Sequence, residues 1–565
     1  MRQHSLVRQH STFPRLFGSL LLVVAAGISS IGAAPERGAP SPAPAPAARP
    51  LDQIVPAPAQ VRAGGAAYTL TARSRIQVAG RSHEDAREAR RIGSYLAGLL
   101  RPSTGYALPV TDRRGDGGIR LRLVGSDGRD RERAPLAQHA LGLGEEGYRL
   151  ESGRGGVTIT AQEPAGLFHG VQTLRQLLPA SVEKRTPQPG PWTVAGGTIT
   201  DTPRYAYRGA MLDVSRHFLT PDQVRLYIDQ LALYKINKLH LHLSDDQGWR
   251  IAIDSWPRLA TYGGSTQVGG GPGGYYTKAQ YRELVSYAAS RHLEVIPEID
   301  MPGHTNAALA SYAELNCDGV APPLYTGTAV GFSSLCAPKE VTYDFVDDVI
   351  RELAALTPGK YLHIGGDEAH STSHADYVTF MERTQAVVRK YGKTVVGWHQ
   401  LTGATPVEGA VAQYWGYDAT SAAERARVAA ATKKGTRLIL SPADRVYLDM
   451  KYDRSTVLGQ SWAGYTEVDR SYDWDPATYL AGAGVSEDAV LGVEAPLWTE
   501  TLATNDQLES MAFPRLPGVA ELGWSPAATH DWDTYKARLA AQGPRMAALG
   551  IDYYRSPLVN WPAGQ

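Results

Sequence analysis

The sequence predicts an α/β chain in which a (β/α)8 TIM barrel follows a small α+β domain. Three observations carry that expectation. From about residue 207 onward, an apolar run, a polar loop and an amphipathic stretch recur in that order, the pattern of βα units around a parallel sheet. Eight such apolar runs can be placed, enough to close a barrel. Before them lie short alternating runs of another kind, which fit strands with one wet face.

The eight candidate barrel strands are Ala210–Val214, Lys238–Leu243, Glu294–Ile299, Tyr361–Ile364, Thr394–Gly397, Val411–Tyr414, Arg437–Leu440 and Val490–Val493. Helices between them begin on recognisable signals. Thr220-Pro-Asp-Gln223 offers a cap residue, proline at the first helical position and glutamine at the third, and Thr277-Lys-Ala-Gln280 repeats the capping box. The repeating region runs to roughly 320 residues, against about 250 for a plain barrel, so it has room for enlarged loops. A doubly wound open sheet is the alternative, but no GxGxxG turn between an apolar run and a helix start supports a nucleotide-binding version.

In the preceding region, taken as 51–202, Ile119–Val124 and Val157–Thr160 read as strands, and Asp85–Leu99 and Gly166–Leu178 as helices. Residues 35–50 are almost entirely Ala and Pro, a linker composition. Residues 1–34 carry Arg2, Arg8 and Arg15, the apolar run Leu20–Ala26 and small residues through Ala34, which reads as a secretory signal peptide and hence a secreted protein. Its Gly and Ser content makes it a poor membrane span. The barrel domain is placed at 203–565.

Composition narrows the function. Lys plus Arg equal Asp plus Glu at 57 each, so there is no broad basic footprint for nucleic acid. The two cysteines, Cys317 and Cys336, are expected to close a loop as a disulfide in an oxidising compartment; two buried thiols are the alternative. No CxxC or HExxH spacing suggests a metal site.

In a barrel of this kind the active site lies at the carboxyl ends of the strands. The residues there are Arg216, then Asp245 and Asp246, then Glu298, Asp300 and His304, then Asp367 and Glu368, and later Trp398, Trp415, Tyr447 with Asp449, and Trp498 with Glu500. Singly, each has a structural explanation: an Asp-Glu pair can cap a helix, an arginine can pair on the surface, and tryptophans fill cores. Their shared position is what matters. Aromatic faces stack on the C–H faces of a pyranose while charged groups bind its hydroxyls, so the set suits a sugar pocket.

Four barrel motifs, Leu212–Phe218, His240–Trp249, Pro297–His304 and His363–Glu368, resemble those of the family 20 glycoside hydrolases, the β-N-acetylhexosaminidases, particularly secreted bacterial members. Glu146–Tyr148 and Gly166–Leu174 are similar to that family's accessory domain. The resemblance implies a substrate-assisted reaction. In it Glu368 is acid and then base, the 2-acetamido oxygen of the substrate is the nucleophile, and Asp367 and Tyr447 hold the acetamido group. Asp245 and His304 form a relay to Glu368. Arg216 and Glu500 take hydroxyls 3 and 4, Asp449 with Trp498 lies near position 6, and Trp398, Trp415 and Trp498 wall the acetamido pocket. No metal or organic cofactor is called for. Exo release of single N-acetylglucosamine, and of N-acetylgalactosamine, is expected. A disaccharide-releasing member, an endo-acting chitinase-like enzyme and an inactive carbohydrate-binding protein are the competing readings.

Overall fold

The computed structural model describes residues 48–113, 115, 117–124 and 142–562. The signal-peptide reading, and residues 35–47 of the linker, lie outside these. Ala47–Gln565 forms one compact unit.

Eight parallel strands close into a barrel in chain order: Tyr207–Asp213, Lys238–His242, Glu294–Glu298, Tyr361–His363, Thr394–Trp398, Val411–Tyr414, Arg437–Leu440 and Val490–Leu497. Each predicted run forms a strand, and the last pairs back onto the first with Tyr207 opposite Gly492. That closure removes the open-sheet alternative. Both predicted capping boxes form, opening the helices Pro221–Leu233 and Lys278–Ser290.

The residues before the barrel form a seven-stranded mixed sheet with Ile119–Leu123 and Gly156–Ala161 near its middle. The helix His83–Thr104 packs on it, opened by a Ser82–Asp85 capping box and ended by Gly105 in the left-handed region at φ 69°. A second helix, Pro164–Leu177, is buried from Gly166 to its end.

Two carboxylates, Asp201 fully buried and Glu146 partly so, tie this sheet to the floor of the barrel. Asp201 accepts from the Tyr148 hydroxyl at 2.7 Å, Lys235 Nζ at 3.0 Å and Trp524 Nε1 at 3.0 Å. Glu146 accepts from Arg208 at 2.6 Å and from Asn237 at 3.1 Å. Neither Lys235 nor Asp201 exposes its side chain, so the pair is compensated only while both partners remain. Lys235→Met is therefore expected to lower unfolding free energy by about 3–5 kcal/mol. Lys536→Ala, whose partner Asp533 is largely exposed, is expected to cost under about 1 kcal/mol. Denaturant midpoints compare the two, and equal small shifts would contradict this account of the interface.

Candidate active site

At the carboxyl ends of the strands lies a cavity of about 490 Å³. Its wall includes Arg216, Asp245, His304, Asp367, Glu368, Trp415, Tyr447, Asp449, Trp498 and Glu500. The structure thus brings together every assigned site residue except Trp398. That side chain is fully buried behind the wall, with ring centroids 5.8 Å from Trp498 and 4.9 Å from His363. It packs against that wall with no exposed surface of its own.

Two glycines let the chain place the carboxylate pair. After the strand Tyr361–His363, Gly365 and Gly366 take φ of 64° and 102°, and a Cβ on Gly365 would lie 1.7 Å from Asp300 Oδ1. Gly366 N–H donates to that same oxygen. Glu368 then adopts φ 44°, and His304 adopts φ 56°. Side chains rarely occupy this region, so both residues are held by their surroundings.

His304 Nδ1 faces Asp245 at 3.3 Å, and its Nε2 lies 3.3 Å from Glu368 and 3.7 Å from Asp367. Burial alone would lower the proton affinity of His304, but Asp245 and Asp367 overcome it and hold the imidazolium well above the ordinary histidine range. Asp245 is in turn held well below the carboxylate range; burial opposes this and is outweighed by Arg216 and His304. The Arg216 guanidinium lies 2.9 Å from Asp245 and stacks over Trp498. The ligand-type atoms of His304, Asp367 and Glu368 lie within 4.8 Å of one another.

The carboxylate pair departs from the division expected from the sequence. Burial, and then the charge of Glu368, push Asp367 up to about 6, while Glu368 is lowered because the His304 imidazolium 3.3 Å away outweighs its own burial. In the unliganded site the proton therefore favours Asp367 over Glu368. The first cause is the deeper burial of Asp367, and the second is the imidazolium, which sits nearer Glu368. Asp300 is raised well above its ordinary value by burial and then by Asp367.

Several acceptors in the wall await partners. Among the described residues, Asp367 Oδ1, Asp449 Oδ1 and Glu500 Oε2 are buried without a hydrogen bond. Burial pushes both Asp449 and Glu500 up. Such oxygens are costly unless a ligand's hydroxyl or amide groups satisfy them.

Sequence reasoning missed part of the rim. Trp462, Tyr417 and Gln460 line one side and Thr328 and Val330 the other. Trp462 is 49% exposed and stands edge-on to Trp415, Tyr417 and Tyr447. A tryptophan in the long segment between the last two strands was the signal available. Thr328 and Val330 arrive on the loop closed by the Cys317–Cys336 disulfide, which forms as expected.

An eightfold barrel whose strand ends gather carboxylates, an arginine and aromatic rings around one deep cavity defines a carbohydrate-active enzyme. Residues 205–379 and 370–527 match glycosyl hydrolase family 20, catalytic domain, and residues 52–202 match glycosyl hydrolase family 20, domain 2. A β-N-acetylhexosaminidase of Cellulomonas fimi is 41% identical over 515 residues, covering 90% of this chain and 97% of its own. The solved family 20 β-N-acetylhexosaminidase of Streptomyces coelicolor A3(2) is 71% identical, with a TM-score of 0.87 over 92% of this chain and 100% of that one. A mutant Streptomyces plicatus β-hexosaminidase in complex with its product GlcNAc is also 71% identical, with a TM-score of 0.87 over 92% of this chain and 99% of that one. The chain belongs to glycosyl hydrolase family 20 and is a β-N-acetylhexosaminidase of that family.

Proposed function

We propose that this hexosaminidase removes single terminal N-acetylglucosamine, and also N-acetylgalactosamine, from the non-reducing ends of chitooligosaccharides and glycans, with retention of configuration. The observation that carries the mechanism is the placement of the carboxylates. Asp367 and Glu368 are adjacent in the chain, have oxygens within 4.8 Å of each other, and share one imidazole nitrogen. A pair on one loop serves one side of a bound sugar, whereas the two-carboxylate schemes flank the scissile bond. The attacking atom is then the 2-acetamido oxygen of the substrate.

Glu368 protonates the departing oxygen and afterwards deprotonates water. The substrate corrects the proton distribution of the empty site. Its acetamido N–H donates to the unpaired Asp367 Oδ1 and favours the carboxylate there, and its ring displaces water from Glu368, which favours the acid. Tyr447, 4% exposed beside Trp498, holds the acetamido carbonyl in line for attack. Glu500 and Asp449 take ring hydroxyls with Arg216, each satisfying an oxygen that is otherwise orphaned. The product GlcNAc bound to the Streptomyces plicatus relative supports this ligand class.

The chain acts as a secreted protein, in keeping with its leader-like start and its disulfide. No helix among the described residues is long and apolar enough to cross a membrane. Incubation with the β-1,4-linked N-acetylglucosamine pentasaccharide, followed by chromatography, tests the exo reading. Single N-acetylglucosamine and the tetrasaccharide should be the first products, and early appearance of disaccharide with trisaccharide would contradict it.

A further inference from the structure

The strand Lys238–His242 alternates leucine and histidine, which places His240 and His242 on the same, inward face of the barrel. Both are fully buried, and both face carboxylates with each ring nitrogen. At the floor, Glu494 accepts from Tyr207 at 2.5 Å and from Gln413 at 2.7 Å, and meets His240 Nδ1 at 2.9 Å. His240 Nε2 meets Glu298 at 3.0 Å. The same Glu298 oxygen accepts from His242 Nδ1 at 2.5 Å, and His242 Nε2 donates to Asp245 at 2.7 Å. Asp245 is the carboxylate that faces His304. Carboxylates and imidazoles therefore alternate without a break from the barrel floor to Glu368.

We propose that His242 and Glu298 are positioning residues: together they hold a permanent positive charge against Asp245 and so set how firmly His304, and through it Glu368, keeps a proton. This rests on the reading of Glu368 as the acid and base held by His304. An imidazole whose two nitrogens both point at carboxylate oxygens must donate from both, and so is charged. Burial alone would discharge His242, but the charge of Glu298 and the Asp245 hydrogen bond outweigh it. Glu298, despite its burial, is held ionised by His363, His242 and His240.

The other groups that face this pair are fixed. His363 Nδ1 lies 2.9 Å from Glu298, and the Asp300 carboxyl lies within 4.8 Å of both His242 and Glu298. Arg216 shares the Asp245 oxygen that His242 uses, at 2.9 Å. Asp246 stands 3.9 Å from His304. In the dry interior of the barrel, a charge 2.7 Å from Asp245 changes the potential at His304 strongly.

The test compares pH profiles of kcat for wild type, His242→Gln, Glu298→Gln and His304→Ala on an aryl N-acetyl-β-glucosaminide. Loss of the His242 charge leaves Asp245 more negative toward His304. The proton shared by His304 and Glu368 is then kept to higher pH but sits more on His304. The basic limb of His242→Gln should move up by about one pH unit, with a lower plateau. Glu298→Gln removes the acceptor that keeps His242 charged, and should move the limb the same way. Folded variants that lose turnover with an unmoved limb, while His304→Ala moves it, would overturn the proposal. A profile unmoved in all three would overturn the His304 reading itself. If neither variant folds, ¹⁵N NMR of the wild-type histidines decides: both His242 nitrogens protonated at neutral pH supports the proposal, and a neutral ring overturns it.

Discussion

Glu368→Gln is expected to lower kcat on the β-1,4-linked N-acetylglucosamine disaccharide by roughly 10²- to 10⁴-fold, the scale of a lost general acid. A sugar alkoxide is a poor leaving group, so its departure needs the proton that Glu368 delivers. With a p-nitrophenyl leaving group the first step should suffer less, while the second step still lacks its base. The change is isosteric and the side chain is 29% exposed, so the fold should survive. KM should change far less than kcat, because the proposed reading gives the binding to Asp449, Glu500 and Arg216. Retention of more than a tenth of the disaccharide activity would remove Glu368 from its role.

Asp367→Asn should cost roughly 10²- to 10³-fold in kcat, the scale of a lost group facing developing charge. The carboxylate must be ionised to receive the acetamido N–H and balance the positive charge of the cyclised intermediate. In the free enzyme, burial and Glu368 raise its pKa to about 6. The acid limb of kcat/KM should therefore fall near that pH, because below it Asp367 is protonated. Substrate favours the ionised form, so the acid limb of kcat should lie lower. Asparagine cannot titrate, and the variant should lose this limb. An asparagine variant with an unchanged acid limb would assign the limb to another group.

Much of this was legible in the residues. All eight barrel strands could be placed because parallel barrel strands, buried on both faces, read as continuous apolar runs. Thr220 and Thr277 announced their helices because a cap and its N3 glutamine are neighbours in sequence. The site could be read because strand ends converge in a closed barrel. What could not be read depends on loops and depth. Trp462, Tyr417 and Val330 reach the cavity on irregular segments whose paths no periodicity records. Trp398 sits at a strand end like its neighbours, yet is fully buried against Trp498, since sequence position fixes direction but not depth. The protonation order of Asp367 and Glu368 was missed because it depends on how deeply each is buried and on which lies closer to His304, neither of which two adjacent residues reveal in sequence. The histidine column did have a signal, two histidines spaced by two in an apolar strand, though two of their carboxylate partners, Glu298 and Glu494, come from other strands.

The central claim is that the nucleophile belongs to the substrate, and the most direct measurement is kcat/KM on p-nitrophenyl N-acetyl-β-glucosaminide beside the matching β-glucoside without the acetamido group. An intramolecular nucleophile held in line has an effective molarity on the order of 10⁵ M or more, so the first substrate should be preferred by a comparable factor. Similar rates on the two would contradict the account, because the acetamido oxygen would then not be forming the bond.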